Sequence, residues 1–146
     1  MSVRPARRAN RDADGFVALE LTAGFAVLVF PVVMLVASLP GWFDRQSTAR
    51  QAAREAVRAV TLVGWCDEAR AARVVAQVAS GAGVAPGDVA LTLDCTPGGA
   101  LARNGTVTAR VAMAMPGVNV PLVGSIAAWT WTAGHIEPVD PYGSRP

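Results

Sequence analysis

The chain has 146 residues, of which 52% are apolar and 16% are charged, so its length suits one domain and its composition argues against a largely disordered protein. All thirteen basic residues are arginine; four lie in residues 1–15 with two acids, and the other nine are balanced by nine acids, so the formal net charge is +2. A balanced body argues against nucleic acid as a partner, because binding it needs a concentrated positive surface.

The first predicted element is a membrane helix. Residues 21–43 contain no charged side chain, and at about 1.5 Å per residue such a helix exceeds the roughly 30 Å hydrocarbon layer of a bilayer. The four arginines of residues 1–15 precede it closely, so the positive-inside rule predicts a single-pass inner or cell membrane protein with a cytoplasmic N-terminus and an extracytoplasmic C-terminal domain. Two alternatives stay open: a buried helix of a soluble protein, and a secretory signal peptide cleaved after residues 36–38.

Two prolines lie within the apolar run. Pro31 removes a backbone donor in mid-span and predicts a kink, whereas Pro40 and Gly41 predict a stop or a sharp bend near the outer membrane surface. Trp42, which follows them, is typical of a residue that anchors a helix at the interface between lipid and water.

The boundary between the basic leader and the apolar run carries the most specific motif. It combines a glycine, an aromatic residue directly after it and an acid five positions after the glycine, and it reads Asp14-Gly15-Phe16-Val17-Ala18-Leu19-Glu20. This motif resembles the processing site of type IV prepilins. The resemblance implies a cytoplasmic leader at residues 1–15, a transmembrane and assembly helix at residues 16–43, and a prepilin peptidase as the partner that cuts between Gly15 and Phe16.

Glu20 lies four residues after Phe16, so in a helix it is one turn away from the amine that cleavage creates. The resemblance implies that this glutamate pairs with the amine of a neighbouring subunit, so that Phe16 and Glu20 set the register of assembly. A charge at the edge of the bilayer is costly unless it is paired. The alternative is that Glu20 only occupies the first turn of the helix, where the helix dipole favours an acid.

An alanine- and arginine-rich segment, residues 46–60, follows the membrane run. It contains the sequence Arg50-Gln51-Ala52-Ala53-Arg54-Glu55-Ala56, which is similar to the helix that follows the membrane segment in TadE-like proteins of the Tad/Flp pilus machinery. The similarity covers residues 12–62, and the remainder only in layout. Leu21 stands where major Flp pilins usually carry Tyr, and the outer domain is far larger than theirs. Both differences favour a minor pilin or pseudopilin over the main fibre subunit.

The same segment also has the pattern of an amphipathic helix. Small residues recur at helical spacing and form one narrow face that lets another element approach closely. They are Ala49, Ala52, Ala53, Ala56, Val57 and Val60. Arg50, Arg54 and Arg58 line another face at four-residue steps, which is typical of a solvated helix surface.

A second helix and three strands are predicted after residue 62. Two acids begin the helix at residue 67, and two glycines end it after residue 80. Beyond the helix the apolar period changes to two, which predicts half-buried strands. The strands span residues 89–95, 107–115 and 125–136. The short connections between them indicate an antiparallel sheet.

These elements predict an α+β fold, and the resemblance implies a type IV pilin-like layout. The helices cover one face of the three-stranded sheet in an extracytoplasmic domain at residues 44–136, and residues 137–146, with three prolines, form a flexible tail. A domain this small often needs a covalent staple. Cys66 and Cys95, the only cysteines, lie outside the reducing cytoplasm in this topology, so we expect a disulfide between them. A buried free thiol and an intermolecular bond are the alternatives.

The sequence contains no recognisable catalytic or metal-binding motif. His135 is the only histidine, and it lies in a predicted strand with no motif around any serine or cysteine. Two cysteines and one histidine cannot supply the four ligands of a structural zinc site. The sequence therefore predicts no enzyme, no metal and no cofactor.

Two features predict possible contacts with other subunits. The two tryptophans of the third strand alternate and so share a face, and a loop at residues 116–123 is largely apolar. If these side chains are exposed they form a patch that suits a neighbouring subunit; the alternative is that they fold onto the core of their own domain. The residues concerned are Trp129, Trp131, Val118, Val120 and Leu122.

Together these features predict a membrane-anchored, non-enzymatic minor pilin or pseudopilin-like subunit of a Tad/Flp-type pilus. Its predicted partners are the membrane, the prepilin peptidase and other pilin or pilus-assembly subunits. The alternative is an uncleaved bitopic envelope protein whose outer domain binds a partner or ligand. The N-terminal residue of the membrane-extracted protein separates the two, because only processing makes Phe16 the first residue.

Overall fold

The structure, a computed structural model, describes residues 9–96, 99–120 and 124–140. In these residues the chain forms two α-helices, a short 3₁₀ helix (Pro86–Asp88) and five β-strands. The α+β class agrees with the prediction. The chain divides into two compact units, Met1–Ser38 with Val118–Ile126 and Leu39–Gly117 with Ala127–Pro146.

Helix α1 (Ala9–Thr61) is one continuous α-helix of 53 residues. It includes Pro31, Pro40 and Gly41, so the helix does not stop at residues 40 and 41, which was one of the two predicted outcomes there. A proline removes one backbone hydrogen bond, and that loss does not end a helix whose following turns are held by other contacts. The turns after Gly41 are held in this way, because their alanine face packs against the sheet.

Helix α2 (Glu68–Gly81) begins and ends within one residue of the predicted bounds. The carboxylate of Asp67 caps its first turn by accepting a hydrogen bond from the backbone N–H of Arg70 at 2.9 Å. The chain leaves the helix through Gly83, whose φ of 69° is a left-handed conformation that favours glycine. The buried stripe of α2 consists of Ala71, Val75 and Ala79.

The strands form two separate sheets. They are β1 (Val89–Asp94), β2 (Thr106–Met115), β3 (Val118–Val120), β4 (Gly124–Ile126) and β5 (Trp129–Pro138). β2 lies between β1 and β5 in an antiparallel three-stranded sheet, as predicted. β3 and β4 pair with each other in an antiparallel two-stranded sheet.

The prediction of a single third strand at residues 125–136 is wrong at its start. Ser125 pairs with Asn119 of β3, whereas β5 begins at Trp129, opposite Met115 of β2. The segment at residues 116–123, expected to be a loop, contributes β3. β2 ends at Met115 because the next residue is Pro116, which has no N–H to extend the ladder. Residues before Trp129 therefore have no partner in the larger sheet and pair locally instead.

β5 continues two residues beyond the predicted end. Val139, which follows it, is buried, and its backbone N–H donates to the carbonyl of Gly105 at 2.8 Å. The start of the predicted tail is therefore part of the folded domain. Residues 141–146 of that tail lie outside the described part of the chain.

The core lies between residues 49–60 of α1 and one face of the three-stranded sheet. The six small residues of the predicted helix face are all fully buried, and they form one cluster with α2 and with alternate residues of β2. The buried residues of β2 are Val107, Ala109, Val111, Met113 and Met115. The apolar face of α1, which recurs with the helical period, thus packs against the apolar face of β2, which recurs at every second residue.

Candidate functional site

The predicted processing and register residues all lie in α1. The backbone of Gly15 and Phe16 is helical, and Glu20 lies one turn further along, about 6 Å of helix rise beyond Phe16. The side chain of Glu20 is exposed. The side chains of residues 9–16 lie outside the described part of the structure, so the processing role of Gly15 and Phe16 stays a prediction.

Glu20 lies in a stretch of α1 whose surface is apolar and exposed. The most apolar 18-residue window of this helix has a mean hydropathy of 2.3, and none of it is buried. Leu21, next to Glu20, exposes 76% of its surface, and large apolar side chains stay exposed as far as Phe43. Within the described residues, α1 is the one helix whose length and composition suit a membrane span. An apolar helix surface that the described residues leave exposed suits lipid or another protein around it.

The C-terminal part of α1, from Trp42 onward, is hydrogen-bonded to one end of the three-stranded sheet. The indole N–H of Trp42 donates to the carbonyl of Pro116 at 3.1 Å, and the guanidinium of Arg45 donates to the carbonyl of Ala114 at 3.4 Å. Increasing residue number along α1 therefore corresponds to decreasing residue number along β2. The side chains of Trp42 and Arg45 fix which turn of the helix lies beside the end of β2.

Two ring contacts join the same part of α1 to β5. The rings of Trp42 and Trp129 meet edge to face, with centroids 6.3 Å apart and an interplanar angle of 82°. The guanidinium carbon of Arg50 lies 5.1 Å from the centroid of the Trp131 ring, which is the geometry of a cation–π contact. Sequence reasoning missed both contacts, because it treated Arg50 only as part of a solvated stripe. No local pattern could have revealed partners about eighty residues away.

Of the five predicted subunit-contact residues, the structure describes the side chains of Trp129, Trp131 and Val118. Trp131 is half-buried and packs against the core, whereas Trp129 remains 42% exposed at the end of the sheet. Val118 is half-buried in β3. The side chain of Val120 and the whole of Leu122 lie outside the described residues. A role for these five residues in subunit contact stays a prediction.

A disulfide joins Cys66 and Cys95, as expected, with their Cα atoms 6.0 Å apart. It links the residue before the N-cap of α2 to the residue after β1. Hydrogen bonds reinforce the link, because the backbone N–H of Cys66 donates to the carbonyl of Gly99 and that of Leu101 donates to the carbonyl of Gly64. The disulfide and these backbone hydrogen bonds thus hold together the part of the domain that follows Thr61.

No group of three or more His, Cys, Asp or Glu side chains suited to hold a metal ion occurs within the described ranges. His135 is half-buried on β5, opposite Ala109 of β2. The predicted absence of catalysis, metal and cofactor rests on the sequence argument.

Comparison of the chain with models of protein families, with curated proteins and with solved structures finds no match. The similarity to prepilins and to TadE-like proteins therefore rests on the motif at residues 14–20 and on the alanine- and arginine-rich segment.

Proposed function

We propose that this protein is a structural subunit of a Tad/Flp-type pilus, a minor pilin or pseudopilin-like protein rather than an enzyme. In this proposal a prepilin peptidase cuts after Gly15, and the subunit then assembles through the exposed apolar part of α1. The protein starts as a single-pass membrane protein with a cytoplasmic N-terminus and an extracytoplasmic domain. The observation that supports the proposal most strongly is the difference in burial along α1.

The exposed apolar part of α1 needs a cover. Burying one large aliphatic or aromatic side chain is worth about 1.5–3 kcal/mol relative to leaving it in water, and large side chains are exposed from Leu19 to Phe43. The uncharged run at residues 21–43 matches the thickness of a bilayer. In a filament, the same surface packs against the equivalent helices of neighbouring subunits. One helix can therefore serve first as a membrane anchor and then as a filament core.

Glu20 fits this scheme because it is the one charged residue between the cleavage position and the uncharged run. A carboxylate beside lipid is costly unless a cation pairs with it. Cleavage after Gly15 creates an amine at Phe16, one helical turn from Glu20, and the amine of a neighbouring subunit can meet the same carboxylate. The charge pair then selects a single axial offset between two otherwise featureless apolar helices.

The N-terminal residue of the mature protein tests the proposal. We would express the full chain with a prepilin peptidase, extract it from membranes and sequence its N-terminus; we expect Phe16. A Gly15→Val variant should stay uncut. Gly24→Val is the matched control, because a side chain at Gly24 meets no atom within 4 Å, and it should be processed normally.

Two results would overturn processing. A first residue of Met1 or Ser2 in the presence of active peptidase supports the uncleaved envelope protein instead. A first residue of Leu39 supports a signal peptide and a secreted domain.

A further inference from the structure

At the end of the three-stranded sheet, Trp129 contacts Trp42 of α1, and the next helix residue, Phe43, is exposed; we call these three residues the aromatic rim. Trp42 and Trp129 contact each other edge to face, and the Trp42 indole donates to the Pro116 carbonyl. Phe43 and Trp129 nevertheless expose 62% and 42% of their surfaces. The rim is therefore built by tertiary contacts, yet it presents apolar rings outward.

The chain around the rim is unusually poor in charge. Residues 21–43 of α1 contain no Asp, Glu, Lys or Arg, and neither do residues 111–136, which include the end of β2 and the start of β5. Charged residues return at Asp44 and Arg45 on the helix, at Arg110 on β2 and at Glu137 on β5. Arg45 turns its guanidinium to the Ala114 carbonyl.

The acid on the strand that carries Trp129 is Glu137, eight residues further along β5, and another acid lies at the other edge of the sheet. Asp88 directly precedes β1, and β1 and β5 flank β2 on opposite sides. The side of the sheet that carries Trp129 therefore presents uncharged residues over the part that lies closest to Trp42. An uncharged surface with exposed aromatic rings suits contact with the interfacial layer between water and lipid hydrocarbon.

We propose that the aromatic rim binds the interfacial layer of a phospholipid bilayer, so that the folded domain rests on the membrane through Trp129 as well as through its helix. This inference rests on the membrane insertion of α1 in the proposed function. The rim lies at the C-terminal end of the uncharged helix run, which is the level of the outer headgroups. Tryptophan prefers this level because its ring is both apolar and polar at one edge. The packing of Trp129 on Trp42 brings β5 to the same level.

Trp65 provides a matched comparison within the same domain. It is 47% exposed, close to the value for Trp129, and it forms an isolated β-bridge with Ala100. The helix between Trp42 and Thr61 rises by about 28 Å, so Trp65 belongs to the far end of the domain. Two tryptophans of similar exposure therefore differ in their expected distance from lipid.

Fluorescence quenching by lipid tests the proposal. The full chain would be reconstituted into phosphatidylcholine liposomes whose acyl chains are brominated near the headgroup, and flotation would confirm that it is inserted. We expect Trp129→Phe to reduce the lipid-quenched part of the tryptophan emission roughly twofold, because two of the four tryptophans lie in the rim. Trp65→Phe should leave the amplitude of the quenched emission unchanged. Phenylalanine keeps an aromatic ring at each site, and the circular dichroism spectrum of each variant checks that it folds.

The outcomes separate this inference from the proposed function. If the protein floats with the liposomes and Trp42→Phe removes all of the quenching while Trp129→Phe removes none, the helix is inserted but the rim inference is wrong. If Trp65→Phe lowers the quenched emission as much as Trp129→Phe does, the rim is not specific and the inference is also overturned. If the protein does not float, both the rim inference and the membrane anchor fail.

Discussion

Two parts of helix α1 are rich in apolar residues, yet they differ in the size of their side chains and in what surrounds them. Between residues 19 and 43 the apolar side chains are large and exposed, as at Leu21 and Phe25. Between residues 49 and 60 they are alanine and valine, and one face is fully buried against the sheet and α2. Small side chains let the backbone of the helix approach the sheet closely, whereas large ones project into the surroundings. We infer that side-chain size separates the part that holds its own domain from the part that contacts other molecules.

The largest expected effect is on assembly. Glu20→Ala removes the carboxylate at the N-terminal end of the uncharged run of α1, and we expect filament incorporation to fall by about tenfold or more, which corresponds to about 1.4 kcal/mol or more of lost pairing energy. Membrane insertion should be unchanged, because the apolar run is intact. Surface piliation by immunoblot of sheared filaments measures the effect. Glu55→Ala, in the buried part of the same helix, is the control, and equal losses from both variants would contradict a register role for Glu20.

Loss of the disulfide should affect only the folded domain. With Cys66 and Cys95 both changed to Ser, the unfolded chain regains the freedom of a loop of 29 residues, and the free energy of unfolding should fall by about 3–4 kcal/mol. Denaturant unfolding of the domain, followed by circular dichroism in detergent, measures this change. Flotation with membranes should be the same as for the wild type. A variant that keeps full stability would show that the backbone ladders alone hold this end of the domain.

Enlarging one alanine should distinguish the two parts of the helix directly. Ala53 is fully buried, so Ala53→Leu overpacks the core and should cost about 1–3 kcal/mol of unfolding free energy. Ala26 is exposed in the apolar part, and Ala26→Leu should leave domain stability unchanged. Thermal unfolding of both variants checks this difference. Equal destabilisation would mean that the exposed part is packed by its own chain after all.

The smallest expected effect concerns the cation–π contact. Arg50→Gln removes the guanidinium above the Trp131 ring and should lower the free energy of unfolding by about 0.5–1 kcal/mol. Arg54→Gln, four residues later on the exposed arginine face, should have no measurable effect. A double-mutant cycle with Trp131→Leu isolates the contact. A coupling energy near zero would show that Arg50 only belongs to the solvated helix face that the sequence predicts.

Local pattern determined a large share of this protein before any tertiary contact was considered. The uncharged run predicts the apolar helix, the helical spacing from Ala49 to Val60 predicts its buried face, and alternation predicts the inner face of β2. The pair Cys66 and Cys95 followed from composition and from the predicted compartment. The helix and the strand faces depend on residues that are near in sequence, so periodicity is sufficient to predict them. The chain has two cysteines, so counting is sufficient to predict which cysteines pair.

Tertiary structure decided the rest, because it depends on contacts between residues far apart in the chain. Continuation of α1 through Pro40 depends on packing that lies beyond the proline. The split between β4 and β5 depends on where Pro116 ends β2, and the meeting of Trp42 with Trp129 joins positions 87 apart. A periodic sequence specifies which face of an element is apolar, whereas its partner is specified only when the chain has folded, since that choice depends on the combined free energy of all the contacts made at once.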